Sequence, residues 1–423
     1  MYDLNLTAEQ LEFRDTLRDF VQSEVKPAAL HPDRLQPFDK PLLMDALDKA
    51  AQLGLRTLAL SEEAGGAGAD TLTSCIVMEE IAAGDVDLAV VLAQTATLGH
   101  VLFDRLMTPA QRSAFVRKFV EDDRYHLALA ARDPAAGVGW CYHRPLAGEG
   151  GGEPAAVKQG AGDWVMNGVV PLVPNAPVAR LFAVQVRTDP KKTGMNGLST
   201  LLVPRETPGL TVREQAGPFA GNGSGAAPTT RWYHGTGSEI VLKDCRVPAG
   251  HLLGREGQSP FAGGAESARG VPVMAAINLG VGRAAYEAAV DYAKIRRQGG
   301  RNIIEHQAIG TKLADCAIKL ELARTMIWKA AWALDHPDAV TGRSVSELPL
   351  HTIARVYTAE AVNDVALLSA ECFGAMGVMR DMPLQKYVHD ALVFLHSEET
   401  DGAAKLAVAE AVAGYQRPAA NAA

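Results

Sequence analysis

Apolar positions over residues 8–26 recur at helical spacing, with Leu17, Phe20, Val21 and Val25 on one face, and Pro27 is expected to end that segment. Residues 39–53 repeat the pattern through Leu42, Leu43, Ala46, Leu47, Ala50 and Leu53, and Gly54 stops it. Two or three further helices fit between Thr71 and Val120, the last opened by Thr108 as N-cap and Pro109 in the first turn. Near Tyr125 the period changes. From there to Pro248 short apolar runs stand between Gly- and Pro-rich breaks: Phe182, Val184 and Val186 alternate with Ala183, Gln185 and Arg187, and Leu201–Val203 and Ile240–Leu242 follow. Strands at this spacing without intervening helices predict a compact antiparallel sheet or a barrel.

Beyond Gly270 the helical period returns. Ile309, Leu313, Cys316, Leu320, Ala323, Ile327, Ala330 and Leu334 form a heptad seam, read as a core helix of an antiparallel bundle or as a coiled coil. Comparable helices flank it at 271–297, 349–374 and 383–411. The fold class is therefore α+β, in three parts: a helical domain over 1–123, a β domain over 124–249 and a four-helix bundle over 250–423.

Composition narrows the class. A chain of 423 residues that is 48% hydrophobic and 21% charged can bury several cores. The net charge of -8, without a basic block, points away from nucleic acid. The first ten residues lack a signal-peptide profile, and no apolar run reaches the roughly 18 residues of a membrane helix, so a cytoplasmic protein is expected. The five cysteines are widely spaced without a CxxC pair, which predicts buried free thiols rather than zinc or disulfides.

Three motifs need weighing. Gly280-Val281-Gly282-Arg283-Ala284-Ala285 matches a dinucleotide fingerprint in form, but no βαβ unit surrounds it, so close helix packing is the expectation. His389 and His396 lack a carboxylate at metal-ligand spacing, and no metal is expected. Glu398-Glu399 follows the apolar run Ala391–Leu395. A carboxylate against apolar surface has a raised pKa and can serve as a base; in composition alone the pair also fits a solvated helix start.

Taken together, several segments resemble the acyl-CoA dehydrogenase family. They are Leu279–Ala285, Tyr292–Gly300 and Glu305–Ile309, then Gly374–Gly377, Met382–Leu384 and His389–Ala391. In the β region Trp164–Gly168, Leu201–Pro204, Cys245–Pro248 and Leu253-Gly254 agree as well. The resemblance covers nearly the whole chain in order. It implies FAD as cofactor, an acyl-CoA thioester as substrate and desaturation between Cα and Cβ. It also implies electron-transferring flavoprotein as electron acceptor, and either a homodimer or homotetramer or a hetero-oligomer with a paralogue. By position in the motifs, Glu398 is the catalytic base, in Ser-Glu-Glu-Thr where the family commonly has Tyr-Glu-Gly-Thr. Arg296 and Gln307 reach the flavin of a neighbouring subunit, and Glu371, Ala375 and Thr400 fall on cofactor positions. Gly270 occupies the place where some members carry their base on an earlier helix.

The flavin face of the β domain departs from the family pattern. Arg132-Asp133-Pro134 replaces Thr-Glu-Pro, Val138 replaces a serine at the substrate, Leu172 an aromatic and Pro174 a threonine, while Asn175 is kept. Gly299 replaces a phenylalanine, and a Gly-rich insertion spans Gly221–Gly237. These changes either enlarge the pocket for a bulky acyl group or mark the flavin-poor, non-catalytic half of a heteromeric enzyme. A flavin monooxygenase of the same superfamily is a third reading, which the retained Glu398 disfavours. No arginine stands in 85–100 to hold a distal carboxylate, which disfavours a dicarboxylic substrate.

Overall fold

The computed structural model describes residues 5–31, 42–131, 154–160, 162–192, 196–213, 233–261, 267–337, 348–379, 381–396 and 402–414. Arg132, Val138, Cys141, Glu398 and Thr400 lie outside the described residues. Helix α1 (Ala8–Phe20) opens on a capping box in which Thr7 and Gln10 each accept the other's backbone N–H. Pro27 does not end the helical run. The chain widens into a π turn over Val21–Val25 and continues as α2 (Lys26–Ala29), with Pro27 in the first turn, where its missing N–H is harmless. Helix α3 (Met44–Gln52) stops before Gly54, whose φ of 79° takes the left-handed region.

Helices α4 (Thr71–Gly84) and α5 (Val86–Gly99) meet at Asp85, which caps α5 by accepting from the Leu88 N–H at 2.9 Å. Both are buried on nearly all sides. With the π turn His100–Leu106 after it, α5 makes a helical stretch of 21 residues from Val86 with a mean hydropathy of 1.6, and 83% of its most apolar window is buried within the fold. It is a core helix hydrophobic all round. Helix α6 (Pro109–Glu121) starts as expected, on a Thr108–Gln111 capping box with Pro109 in its first turn.

The strands are β1 (His126–Ala130), β2 (Ala155–Gln159), β3 (Asp163–Pro174), β4 (Ala179–Arg187), β5 (Leu198–Pro204), β6 (Leu210–Arg213), β7 (Gly237–Val247) and β8 (Leu252–Leu253). They form one sheet in the order β6-β7-β3-β2-β4-β5-β8, with β1 beside β4. The expected antiparallel sheet or barrel is corrected here to an open mixed sheet: β1 and β2 run parallel to β4. Strand β3 runs against β2, so the chain re-enters at β4 in the direction of β1. The expected in–out alternation of β4 also fails, because the sheet is covered on both faces. Phe182, Val184 and Val186 join Trp164, Met166 and Ile240 on one side; Leu181 and Ala183 meet Phe103, Phe119 and Leu127 on the other. Gln185 is buried and donates to Ser259 Oγ at 3.0 Å.

The second helical part holds α7 (Val271–Ile295), α8 (Gln307–Asp335), α9 (Leu350–Phe373), α10 (Leu384–Leu395) and α11 (Gly402–Ala413). The helix expected over 383–411 is thus two helices. The heptad seam of α8 faces the core from Leu313 to Ala330. Gly280 lies inside α7, not in a nucleotide loop: a Cβ there would stand 2.5 Å from the Glu79 carbonyl oxygen of α4. The small residue lets the two helices touch, as expected. Cys75, Cys245, Cys316 and Cys372 are buried free thiols.

Candidate active site

Helix α5 runs along the candidate site as its wall. At its far end Thr97 faces Gly270, where a Cβ would lie 3.7 Å from Thr97 Cγ2. One turn earlier the Gln94 Oε1 is buried without a hydrogen-bond partner among the described residues. Gly270 itself precedes α7 and offers no side chain, so a base cannot stand there.

The β3 end closes on the middle of α5. Asn175 sits in the left-handed region at φ 63° and is fully buried. Its Nδ2 donates to the Val91 carbonyl at 3.1 Å and to Thr95 Oγ1 at 3.2 Å. Thr95 in turn pairs with His126 Nδ1 at 3.2 Å. Burial first, and then the Arg56 charge, push His126 down to about 4. Asn175, kept at a flavin position of the family, is therefore turned inward, pinning the β3–β4 turn to α5 and β1. At this end of β3 Leu172 is half-buried and Pro174 exposed, and neither side chain can donate a hydrogen bond. Because His126 is neutral when folded, the unfolded chain takes up its proton first as pH falls below about 6.5. Stability is thus largest above that value and declines toward pH 4, and His126→Gln is expected to flatten this part of a urea-midpoint-against-pH curve.

Beside the β3 end lies the segment 233–237. The Tyr233 hydroxyl donates to the Gly237 carbonyl at 3.1 Å, and the Gly235 N–H donates to Asp87 Oδ1 at 2.8 Å. Gly235 has φ 79° and rests on Val90, which leaves no room for a side chain. The same segment reaches α10 through His234. Helix α10 is anchored by Lys386 and Asp390, an i,i+4 pair 2.6 Å apart and buried on both sides. Burial alone would push the Lys386 ammonium down; Asp390 and Asp85 outweigh it and hold it above its ordinary value. Helix α10 ends at Leu395, three residues before Glu398.

The remaining candidates gather at the opposite end of the bundle. Arg296 is the C-cap of α7, exposed and without a carboxylate partner among the described residues, and its carbonyl accepts from the Ile303 N–H at 2.8 Å. Gln307 opens α8, also exposed. Tyr292 stacks on Phe373 with ring centroids 4.1 Å apart, which brings the α7 and α9 ends together. Glu371 is ion-paired with Lys312, a partner the sequence reading did not foresee. Ala375 is exposed on the turn Gly374–Val378, and Gly374, at φ 58°, has open space where a Cβ would be. Gly299 and Gly300, at φ 62° and 85°, form the two-residue turn of a hairpin. Gly299 is thus placed by turn geometry at this end, not at the Gly270 wall.

Gly270 and Arg296 flank the 25 residues of α7, about 37 Å apart along its axis. One chain cannot bring both to one flavin ring. The structure does bring Leu172, Pro174, Asn175, Gly270 and the α10 end to one wall, and Arg296, Gln307, Glu371 and Ala375 to one bundle end. The sequence reading missed His234, Asp87 and the Lys386–Asp390 pair. The last was signalled by two opposite charges at i,i+4 inside an apolar helix.

Helical, sheet and helical parts follow one another along the chain, and the second helical part brings Arg296, Gln307 and Ala375 to one end. The patterns that define the acyl-CoA dehydrogenase N-terminal and C-terminal domains match residues 7–123 and 268–413. A probable acyl-CoA dehydrogenase of Bacillus subtilis is 30% identical over 411 residues, covering 96% of this chain and 98% of its own. The mitochondrial isobutyryl-CoA dehydrogenase of Dictyostelium discoideum is 28% identical, covering 96% and 89%. The solved butyryl-CoA dehydrogenase of Megasphaera elsdenii superposes with a TM-score of 0.80 at 25% identity, covering 97% and 100%. The chain belongs to the acyl-CoA dehydrogenase family, a family of FAD-dependent oxidoreductases.

The bundle end fits that cofactor. Arg296 offers an exposed guanidinium fork suited to a pyrophosphate, Gln307 adds an amide, and Gly374 leaves the backbone open to approach. Arg296→Ala is expected to weaken FAD retention about 10- to 100-fold, the loss of one charge-assisted contact. Flavin fluorescence released on dilution measures it.

Proposed function

We infer that the protein is an FAD-dependent acyl-CoA dehydrogenase that desaturates an acyl-CoA thioester between Cα and Cβ, with Glu398 as the α-proton base. The observation that carries the reading is the α10 end: the segment 233–237 ties this helix to α5 through His234, Gly235 and Asp87, and the chain continues from it to Glu398 within three residues. Gly270, the other base position in the family, is empty of a side chain.

Bound FAD supplies the hydride acceptor for the β-hydrogen. Glu398 takes the α-proton, and its basicity rises as substrate displaces water from it. The thioester oxygen gathers charge as the proton leaves, and the Glu398 backbone N–H is the donor from this chain that stabilises it. The apolar wall of α5 excludes water along the acyl group. Leu172, standing where an aromatic is usual, supports a bulky branched or cyclic acyl group. Because the Gly270 wall and the Arg296 end lie at opposite ends of α7, a second copy or a paralogue completes each flavin site. Electron-transferring flavoprotein is the proposed acceptor.

Anaerobic titration of the purified protein with straight, branched and cyclic acyl-CoAs tests this. Bleaching of the flavin absorbance by a branched or cyclic member is expected. A flavin that no acyl-CoA bleaches sinks the dehydrogenase reading. One observation favours a second reading, a non-catalytic subunit: β3 presents Leu172 and Pro174, without a side-chain donor, while Asn175 points inward. That reading requires colourless protein until a paralogue is co-expressed, and stoichiometric FAD on the lone chain removes it.

A further inference from the structure

Among the groups the desaturation does not use, His234 stands out for where it points. It lies in the segment that joins the Gly-rich insertion to β7, yet its side chain is 7% exposed and packs on a helix of the bundle. Its Nε2 lies 2.9 Å from the Asp390 carbonyl oxygen, to which it donates. Its ring lies against Phe394, centroids 4.5 Å apart at 38°. Asp390 and Phe394 are one turn apart on the same face of α10, so one imidazole grips the last turn by a hydrogen bond and by ring contact. On its other side His234 Nδ1 is 3.6 Å from Asp87 Oδ1, the carboxylate that also holds the Gly235 N–H. Among the described residues, Asp390 is also met by Lys386 at 2.6 Å and by His389 Nδ1 at 3.8 Å, and the Asp85 charge and Tyr387 act on Lys386.

We propose that His234 is a positioning residue for the reaction: it latches the C-terminal turn of α10 to α5 and β7, and so fixes the point from which the chain carries Glu398 to the α-carbon. Proton abstraction needs the base within hydrogen-bond reach of the proton, and a misplacement of about 1 Å costs on the order of 100-fold. Helix α10 ends at Leu395, and the His396 N–H donates to the Leu392 carbonyl at 3.0 Å. The imidazole adds a hold on this last turn from the segment before β7. The proposal rests on the reading of Glu398 as base.

The test uses FAD-loaded full-length protein. His234→Leu fills the volume and removes the donor; His234→Gln keeps a donor at similar reach. His234→Leu is expected to lower kcat about 10-fold or more with KM within about 3-fold, unchanged flavin content and a displaced acid limb of the kcat–pH profile. His234→Gln is expected to recover most of kcat. Unchanged kcat in His234→Leu overturns the latch, as does a loss that His234→Gln fails to restore. Glu398→Gln is assayed alongside. Full activity there removes the base assignment itself, whereas an inactive Glu398→Gln with a fully active His234→Leu removes the latch alone.

Discussion

Glu398→Gln is expected to lose turnover by roughly 10²- to 10⁴-fold while FAD stays bound with an unaltered spectrum. The size follows from the want of a free carboxylate among the described residues at the α10 end. Gly270 has no side chain. Asp390, on the helix that leads to Glu398, is buried and tied to Lys386 at 2.6 Å, so it cannot swing out to take a proton. Asp87 holds the Gly235 N–H at 2.8 Å. Glutamine keeps the shape and the backbone N–H that the proposed mechanism assigns to the thioester oxygen, so substrate binding is expected to survive with KM little changed. The loss therefore falls on the proton-transfer step, and rapid mixing with acyl-CoA should show slow flavin reduction with normal complex formation. Flavin reduction within about 3-fold of the unmodified protein would place the base elsewhere. Glu399 is the neighbour to examine then, and Glu399→Gln is the paired control.

The architecture was legible because its signals are periodic. The seam from Leu313 to Ala330 and the Thr108–Pro109 start are local patterns, and local packing obeys them. What the sequence hid were effects of tertiary cover. The in–out alternation of β4 implied a half-wet strand, but helices close both faces, so Leu181 and Ala183 are as buried as Phe182. Pro27 read as a terminator because the period assumed a regular helix, and a π turn removed the conflict. The direction of β1 depends on a connection that no local pattern encodes. The family motifs gave the candidate residues but not their sides: Asn175 reads as a flavin contact and proves to be a pin between β3 and α5. Arg296, read as reaching the flavin of a neighbouring subunit, sits at the end of α7 opposite Gly270, an arrangement compatible with that reading. His234 carried no motif at all, being a lone histidine in a Gly-rich stretch, and only its contact with α10 gives it a role.

The same limit hid the charges within the apolar helices, where the largest stability effect is expected. Arg283, inside the small-residue stretch of α7, donates through both terminal nitrogens to the two oxygens of Glu80, each at 2.7 Å. Arg18 of α1 meets the same carboxylate at 2.8 Å, and Arg324 of α8 pairs with the adjacent Glu79 at 2.8 Å. Four helices are thus joined through two neighbouring glutamates of α4. Burial opposes ionisation of Glu80, but the Arg283 bonds and charge, and then those of Arg18, hold its carboxyl below the ordinary value of 4.5. A depressed carboxylate stabilises the fold at pH above its unfolded value, and that share is lost as pH falls through the lower folded value. Glu80→Ala removes the acceptor and leaves the Arg283 fork buried without its bidentate partner, a change expected to cost about 3–5 kcal/mol. Glu80→Gln retains one acceptor oxygen and should cost less. Urea unfolding followed by circular dichroism at pH 7 tests the order, and a Glu80→Ala loss under about 1 kcal/mol would show that Glu79 and Glu287 re-pair Arg283. Repeating the measurement between pH 6 and pH 3 separates charge from packing: below about pH 4.5 the gap between Glu80→Ala and the unmodified protein should narrow, because acid removes the same carboxylate that the substitution does.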